Sequence, residues 1–220
     1  MTPEEISFWI AMAGTVAFSI SAVLSVAERK VDLFAAVVLG IICSVGGGTI
    51  RDVILNVPVF WASDLSYIWV SISASIATFF AYRFFARKTI REFFLYIDGL
   101  AVAMFGIQAT LKVWHLDFGL PVAPVILGVV TAIGGGLVRD VLVGRPTLLM
   151  SRELYAVPVL IGCILFTLIL AYAPEYHLLG SLVCLMITFG IRAAAIRWDL
   201  EVPEWATLGH KIMMNKKKSK

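Results

Sequence analysis

Charge is scarce in this chain. Only 15% of its 220 residues are Asp, Glu, Lys or Arg, while 60% are hydrophobic. A water-soluble domain carries about 25% charged residues, so the composition excludes a surface built to face water and leaves an all-α polytopic membrane protein. Cysteine is nearly absent as well. Cys43, Cys163 and Cys184 fall in apolar stretches, unpaired by spacing, and read as small packing residues rather than redox or metal groups. There is no His-Glu-x-x-His, no Gly-x-Ser-x-Gly, no phosphate loop ending in Gly-Lys-Ser/Thr and no metal-spaced Cys/His cluster, so no catalytic constellation is present and neither an enzyme nor a cofactor is expected. The first residues, Met1-Thr2-Pro3-Glu4-Glu5, are acidic, unlike the basic start of a cleavable signal peptide.

What the chain does have is one segment written twice. Gly46-Gly47-Gly48-Thr49-Ile50-Arg51-Asp52-Val53-Ile54-Leu55 returns 88 residues later as Gly134-Gly135-Gly136-Leu137-Val138-Arg139-Asp140-Val141-Leu142-Val143. At the same offset Pro58 falls on Pro146 and Tyr67 on Tyr155. Self-similarity at a fixed offset marks an internal repeat.

A bilayer core takes about 20 apolar residues per helix. Seven such segments are present, near 6–27, 33–55, 65–86, 94–112, 121–143, 154–173 and 177–197. Their joints carry charge or turn residues: Glu28-Arg29-Lys30, Pro58 to Asp64, Arg87-Lys88 with Arg91-Glu92, His115 to Pro121, Arg145-Pro146 with Arg152-Glu153, and Pro174-Glu175. With the C-terminus in the cytoplasm, fifteen of the 18 lysines and arginines fall on that side, Lys112 alone falls outside, and Arg51 and Arg139 lie within spans. That bias sets the orientation: N-terminus outside, C-terminus in the cytoplasm. It also accounts for the net positive charge, so nucleic acid is not implied as a partner; the partner is the lipid bilayer.

The expected organisation is a single transmembrane domain over 1–198 and a basic cytoplasmic tail over 199–220. Repeat 1 covers about 6–86, repeat 2 about 94–173, and an added seventh helix about 177–197. Each repeat holds three spans, an odd number, so the second copy enters the membrane inverted relative to the first. Inverted repeats are typical of transport proteins, whose pathways run where the copies meet. The five tail lysines read either as a translocation stop signal or as a contact for anionic lipid.

The motif has two readings. Gly46, Gly47, Gly48 and Gly134, Gly135, Gly136 remove side chains and weaken a helix by about 1 kcal/mol each relative to alanine. They either pack at a close helix crossing or bend the helix where water enters, baring carbonyls to an ion. Arg51 and Arg139 sit three residues past each triplet. An arginine at membrane depth is expensive and faces protein or water. Asp52 and Asp140 follow directly, but helix neighbours point in different directions, so each arginine is expected to pair with an acid elsewhere. Asp98, near the start of the fourth span, is the candidate. The result is either an ion-pair lock between the repeats or a gate. Thr49, beside a triplet, is a candidate lining hydroxyl; Ser19, Ser21, Ser25, Ser71, Ser73 and Ser75 read as bonding their own helix backbone. Gln108 is an amide within the fourth span. Trp9, Trp61, Trp69, Trp114 and Trp198 near span ends read as an interfacial belt, and His115, His177 and His210 as solvated edge residues.

The doubled Gly-Gly-Gly-x-x-Arg-Asp, together with Ile191-Arg192-Ala193-Ala194-Ala195-Ile196-Arg197-Trp198-Asp199-Leu200-Glu201-Val202-Pro203, resembles the bacterial branch of the trimeric intracellular cation channel family, also labelled a glycine-transporter-like domain. The resemblance spans about residues 6–205. It implies a seven-helix protomer, a homotrimer in the inner membrane, and a pore inside each protomer, lined by kinked second and fifth helices and conducting monovalent cations, chiefly potassium. Carried onto this chain, its pore and gate positions are Gly46–Gly48, Arg51, Asp52, Asp98, Gly134–Gly136, Arg139 and Asp140. Potassium or sodium would be the permeant ion. One departure stands out. Many bacterial relatives carry an acid near the start of the first helix, whereas this chain reads Ile10-Ala11-Met12-Ala13-Gly14. The competing reading is a secondary transporter of a small zwitterionic solute such as glycine, in which an arginine holds a carboxylate.

Overall fold

The computed structural model describes residues 2–27, 29–82, 87–151 and 153–203. Glu28, Arg83, Arg152, His210 and the five tail lysines lie outside the described residues. Among the described residues eight α-helices follow in order: α1 (Pro3–Ser25), α2 (Leu33–Ile54), α3 (Phe60–Ser63), α4 (Ser66–Ala81), α5 (Arg87–His115), α6 (Val122–Val143), α7 (Ala156–Tyr172) and α8 (His177–Arg197). Single 3-10 turns occupy Leu148–Met150 and Pro174–Tyr176, and among the described residues the only β pairing is an isolated bridge between Glu153 and Glu201. Helices α1, α2, α5, α6 and α8 are long and apolar enough to cross a membrane; α4 and α7 are apolar but shorter, at 16 and 17 residues.

Local chemistry sets the helix ends. Thr2 opens α1 with a reciprocal capping box: its hydroxyl accepts from the Glu5 amide at 3.2 Å and the Glu5 carboxylate accepts from the Thr2 amide at 2.9 Å. Pro3 then supplies a first-turn residue with no N–H to satisfy. Asp32 caps α2 through the Ala35 amide at 2.8 Å. Helix α6 stops at Gly144, which takes the left-handed conformation at φ +65. Asn56, 88 residues earlier, takes φ +53 just past α2. Asp64 accepts from the Ser66 amide at 2.9 Å, and those Ser66 bonds hold its carboxyl below the usual carboxylate range.

Two elements differ from the sequence reading. Helix α5 begins at Arg87 rather than near 94, because the charged residues taken as a joint are good helix formers; hydropathy reports the membrane, not the helix. The four-residue α3 was not expected at all. Helix α5 lies at the centre, packed against α1, α6, α7 and α8.

The glycine triplets mark the meeting of α2 and α6, and both helices run through them without interruption. A Cβ built on Gly47 would fall 2.0 Å from the Thr131 carbonyl oxygen, and one built on Gly135 would fall 2.0 Å from the Cys43 carbonyl oxygen. As the position rises from 43 to 47 on α2, its partner falls from 135 to 131 on α6, so the helices are antiparallel. The two contacts are also the same contact: 43 and 47 map onto 131 and 135 at the 88-residue offset. The offset recurs further out, where Gly40 faces the Ser75 side chain and Gly128 faces that of Cys163. Small residues let backbones touch, and in lipid this close packing is a main source of helix association.

Any side chain at the crossing must push the helices apart. Gly47→Ala or Gly135→Ala is expected to cost about 3 kcal/mol, read as a lower thermal midpoint in detergent. Gly190→Ala on α8, where an added Cβ meets nothing within 4 Å, should cost nothing and gain up to about 1 kcal/mol in helix propensity.

Candidate functional site: two arginine–aspartate ends

Because α2 and α6 are antiparallel, their C-terminal turns point to opposite ends of the molecule. Arg51 lies four residues past Gly47 and Arg139 four past Gly135, about 6 Å along each helix. The crossing therefore sits between two charged ends.

Both ends share one construction. Arg51 Nε donates to Asp52 Oδ1 at 2.8 Å, and Arg139 Nε donates to Asp140 Oδ1 at 2.9 Å. The other aspartate oxygen holds the loop that follows. Asp52 Oδ2 accepts from the Phe60 amide at 2.9 Å; Asp140 Oδ2 accepts from the Leu148 amide at 3.1 Å, again 88 residues on. The Asp52 and Asp140 carbonyls accept from the Val57 and Arg145 amides, both at 3.1 Å. Each Asp thus fastens its helix end to the next segment. A second cation completes each cluster: Lys112 Nζ on Asp52 Oδ1 at 2.8 Å, and Arg145 Nε on Asp140 Oδ1 at 3.1 Å.

The expectation that each arginine avoids its own neighbour was wrong. The long arginine side chain folds back along its helix and presents Nε, not only its tip, so adjacent positions do meet. The expected Asp98 partner is present for Arg139 alone. Arg139 Nη1 donates to Asp98 Oδ1 and, at 2.6 Å, to Ser21 Oγ, while Ser21 donates to the same Asp98 oxygen at 2.8 Å. All three residues are fully buried. The Phe94 ring has two guanidinium groups near it, its centroid 4.8 Å from Arg139 and 4.5 Å from Arg145. Asp98 Oδ2, Arg139 Nη2 and Tyr155 Oη are all buried, with the Tyr155 hydroxyl beside the Asp98 carboxylate.

Arg51 has no such acid. Asp98 maps at the offset onto Ile10, and among the described residues Arg51 meets only the acid Asp52. Its guanidinium lies 5.7 Å from the Phe60 ring and borders a cavity of about 260 Å3 that also touches Ser7, Gln108 and Lys112. The Thr49 hydroxyl donates to the Val45 carbonyl at 2.8 Å and accepts from Trp61 Nε1 at 2.9 Å, so it fastens α2 to α3.

The sequence reading names Ser21, Lys112 and Arg192, but not as members of the site. A serine among apolar residues carries no signal of its contact. Lys112 was signalled, as the one basic residue left on its side of the charge count. Arg192 is buried, bonded to Glu153 Oε2 at 3.0 Å and the Leu154 carbonyl at 3.3 Å, and lies over the Tyr155 ring.

A family model described as "Glycine transporter" matches residues 8–83 and 95–172. The UPF0126 inner membrane protein YadS of Escherichia coli K12 is 34% identical over 206 residues, covering 90% of this chain and 96% of that protein. The chain belongs to this family. It is the bacterial branch of the TRIC channel family: the crystal structure of the TRIC trimeric intracellular cation channel orthologue from Rhodobacter sphaeroides matches with TM-score 0.83 and 28% identity over 89% of this chain and 99% of that one. A UPF0126 membrane protein of Vibrio cholerae is 35% identical over 204 residues, 90% of this chain and 82% of its own length. The TRIC-family fold and membership make this an integral membrane protein whose family and fold are those of channels.

Removing one partner of a buried ion pair strands the other. Asp98→Ala leaves Arg139 with Asp140 alone and is expected to cost about 3–5 kcal/mol. Lys112→Met should cost under about 1 kcal/mol, because that side chain is 33% exposed. Thermal unfolding of the two purified variants checks the contrast.

Proposed function

We propose that this protein is a monovalent-cation channel that prefers potassium. It works as a homotrimer in the bacterial inner membrane, with a pore inside each protomer. The seven apolar helices α1, α2, α4, α5, α6, α7 and α8 all span the bilayer as one domain over 1–198, α1–α4 and α5–α7 being inverted copies and α8 the addition. The N-terminus faces out; the C-terminus and the basic tail over 199–220 face the cytoplasm, where the tail meets anionic lipid.

The observation that carries this reading is the geometry around the α2–α6 crossing. Gly46 and Gly47 meet Gly134 and Gly135 backbone to backbone, Gly48 and Gly136 face the Phe60 and Tyr155 side chains, and each triplet is followed by a buried Arg–Asp cluster at an opposite end. Gly46–Gly48 and Gly134–Gly136 line the path. In the resting state Gly47 and Gly135 cover the Thr131 and Cys43 carbonyls, and nothing hydrated passes. Bending of α2 and α6 at the triplets opens the crossing and turns those carbonyls toward the ion, where they replace water. Arg51 with Asp52, and Arg139 with Asp140 and Asp98, hold the ends shut, and Thr49 fixes the turn at which α2 moves. No cofactor is needed; the ion is the cargo.

The description "Glycine transporter" favours one alternative, secondary transport of a small zwitterion. Recording in planar bilayers under a potassium gradient separates the two. Discrete current steps reversing near the potassium equilibrium potential are expected, with a raised open fraction in Arg139→Ala. A silent bilayer, with labelled glycine accumulating in liposomes from the same preparation, would replace the channel with the transporter.

A further inference from the structure

The two ends of the molecule are built alike but are not equal in charge. At the Arg139 end two cations, Arg139 and Arg145, face two acids, Asp98 and Asp140. At the Arg51 end two cations, Arg51 and Lys112, share the single acid Asp52. That acid is spent: Oδ1 takes both cations and Oδ2 takes the Phe60 amide. One positive charge is left over, at the end where the 88-residue offset replaces Asp98 by Ile10.

The surplus charge borders a cavity. The space of about 260 Å3 beside Arg51 is lined by no Asp or Glu among the described residues. It shares Ser7, Gln108 and Lys112 with a wider mouth of about 830 Å3, again without a described carboxylate. The Arg51 guanidinium and the Lys112 ammonium, which share one carboxylate, thus border one small cavity. Two cationic groups and net positive charge select an anion with two coplanar acceptor oxygens, because arginine binds carboxylates through a planar fork. The narrow part, about 260 Å3, falls just below the roughly 300–1,000 Å3 typical of drug-sized ligands, so a small carboxylate fits it with room to spare.

We propose that this cavity binds a small monocarboxylate, whose charge does for Arg51 what the Asp98 carboxylate does for Arg139. The chain lacks a built-in acid at this end and takes one from solution. The assignment does not depend on what the protein conducts.

The test uses the full-length protein in detergent micelles and reads binding, not conduction. Saturation-transfer difference NMR with sodium acetate should show a saturable signal that acetamide, its neutral isostere, does not give. Arg51→Gln should weaken acetate by about tenfold or more, the scale of one lost charge-assisted contact. Ala11→Asp places a carboxylate on the wall of the cavity and should abolish the acetate signal with the fold kept, whereas Ala11→Asn should retain it. Equal signals from acetate and acetamide, an acetate signal that survives Ala11→Asp, or displacement by an equal concentration of chloride would each overturn the proposal. A folded Ala11→Asp protein keeps the test decisive even where Arg51→Gln does not fold.

Discussion

Everything in this molecule is arranged around a backbone-to-backbone contact. Helices α2 and α6 approach until Gly47 lies against the Thr131 carbonyl and Gly135 against that of Cys43. No other residue tolerates that distance, because even a methyl group would fall inside the van der Waals radius of a carbonyl oxygen. In lipid no hydrophobic force drives helices together, so close contact of this kind must hold the two repeats at their centre. The crossing also makes the helices antiparallel, and that alone sends Arg51 and Arg139 to opposite ends.

The charged ends then follow a common plan. An arginine costs several kcal/mol at membrane depth unless it is paired, and in both copies the next residue supplies the pair. The same aspartate reaches forward eight residues to hold the following loop, so each Asp serves as counterion and latch together. Loop, helix end and arginine are therefore mechanically linked: movement of one must break bonds in the others. Repetition of this unit at an 88-residue offset, down to the carbonyls of Asp52 and Asp140, indicates that the linkage was duplicated whole.

The differences between the copies matter as much as the likeness. Asp98, Ser21 and Phe94 enclose Arg139, whereas Arg51 keeps one acid and borders a cavity. One end is a filled electrostatic cluster and the other a basic, accessible one. The 88-residue offset relates the backbone contacts of α2 and α6, but not the charge.

Much of this was legible in the chain itself. Low charge and seven apolar runs gave the membrane class, and the doubled Gly-Gly-Gly-x-x-Arg-Asp located the residues that meet. The Arg139–Asp98 pair could be named because buried charges demand partners and few acids were available. Other features had no local signature. Ser21 looks like any helix serine, Arg192 like an edge charge, and α3 is too short to leave a periodicity. The i to i+1 pairing of arginine with aspartate was misjudged, because direction on a helix limits Cβ atoms more than the end of a long side chain. The sequence by itself determined the class, the repeat and the glycine-arginine-aspartate unit, since composition and periodicity are properties of the chain alone. Only the tertiary structure decided that the triplets touch, that the aspartates latch their loops, and that Arg51 faces a cavity, because these depend on which residues distant in sequence are brought within ångströms of one another.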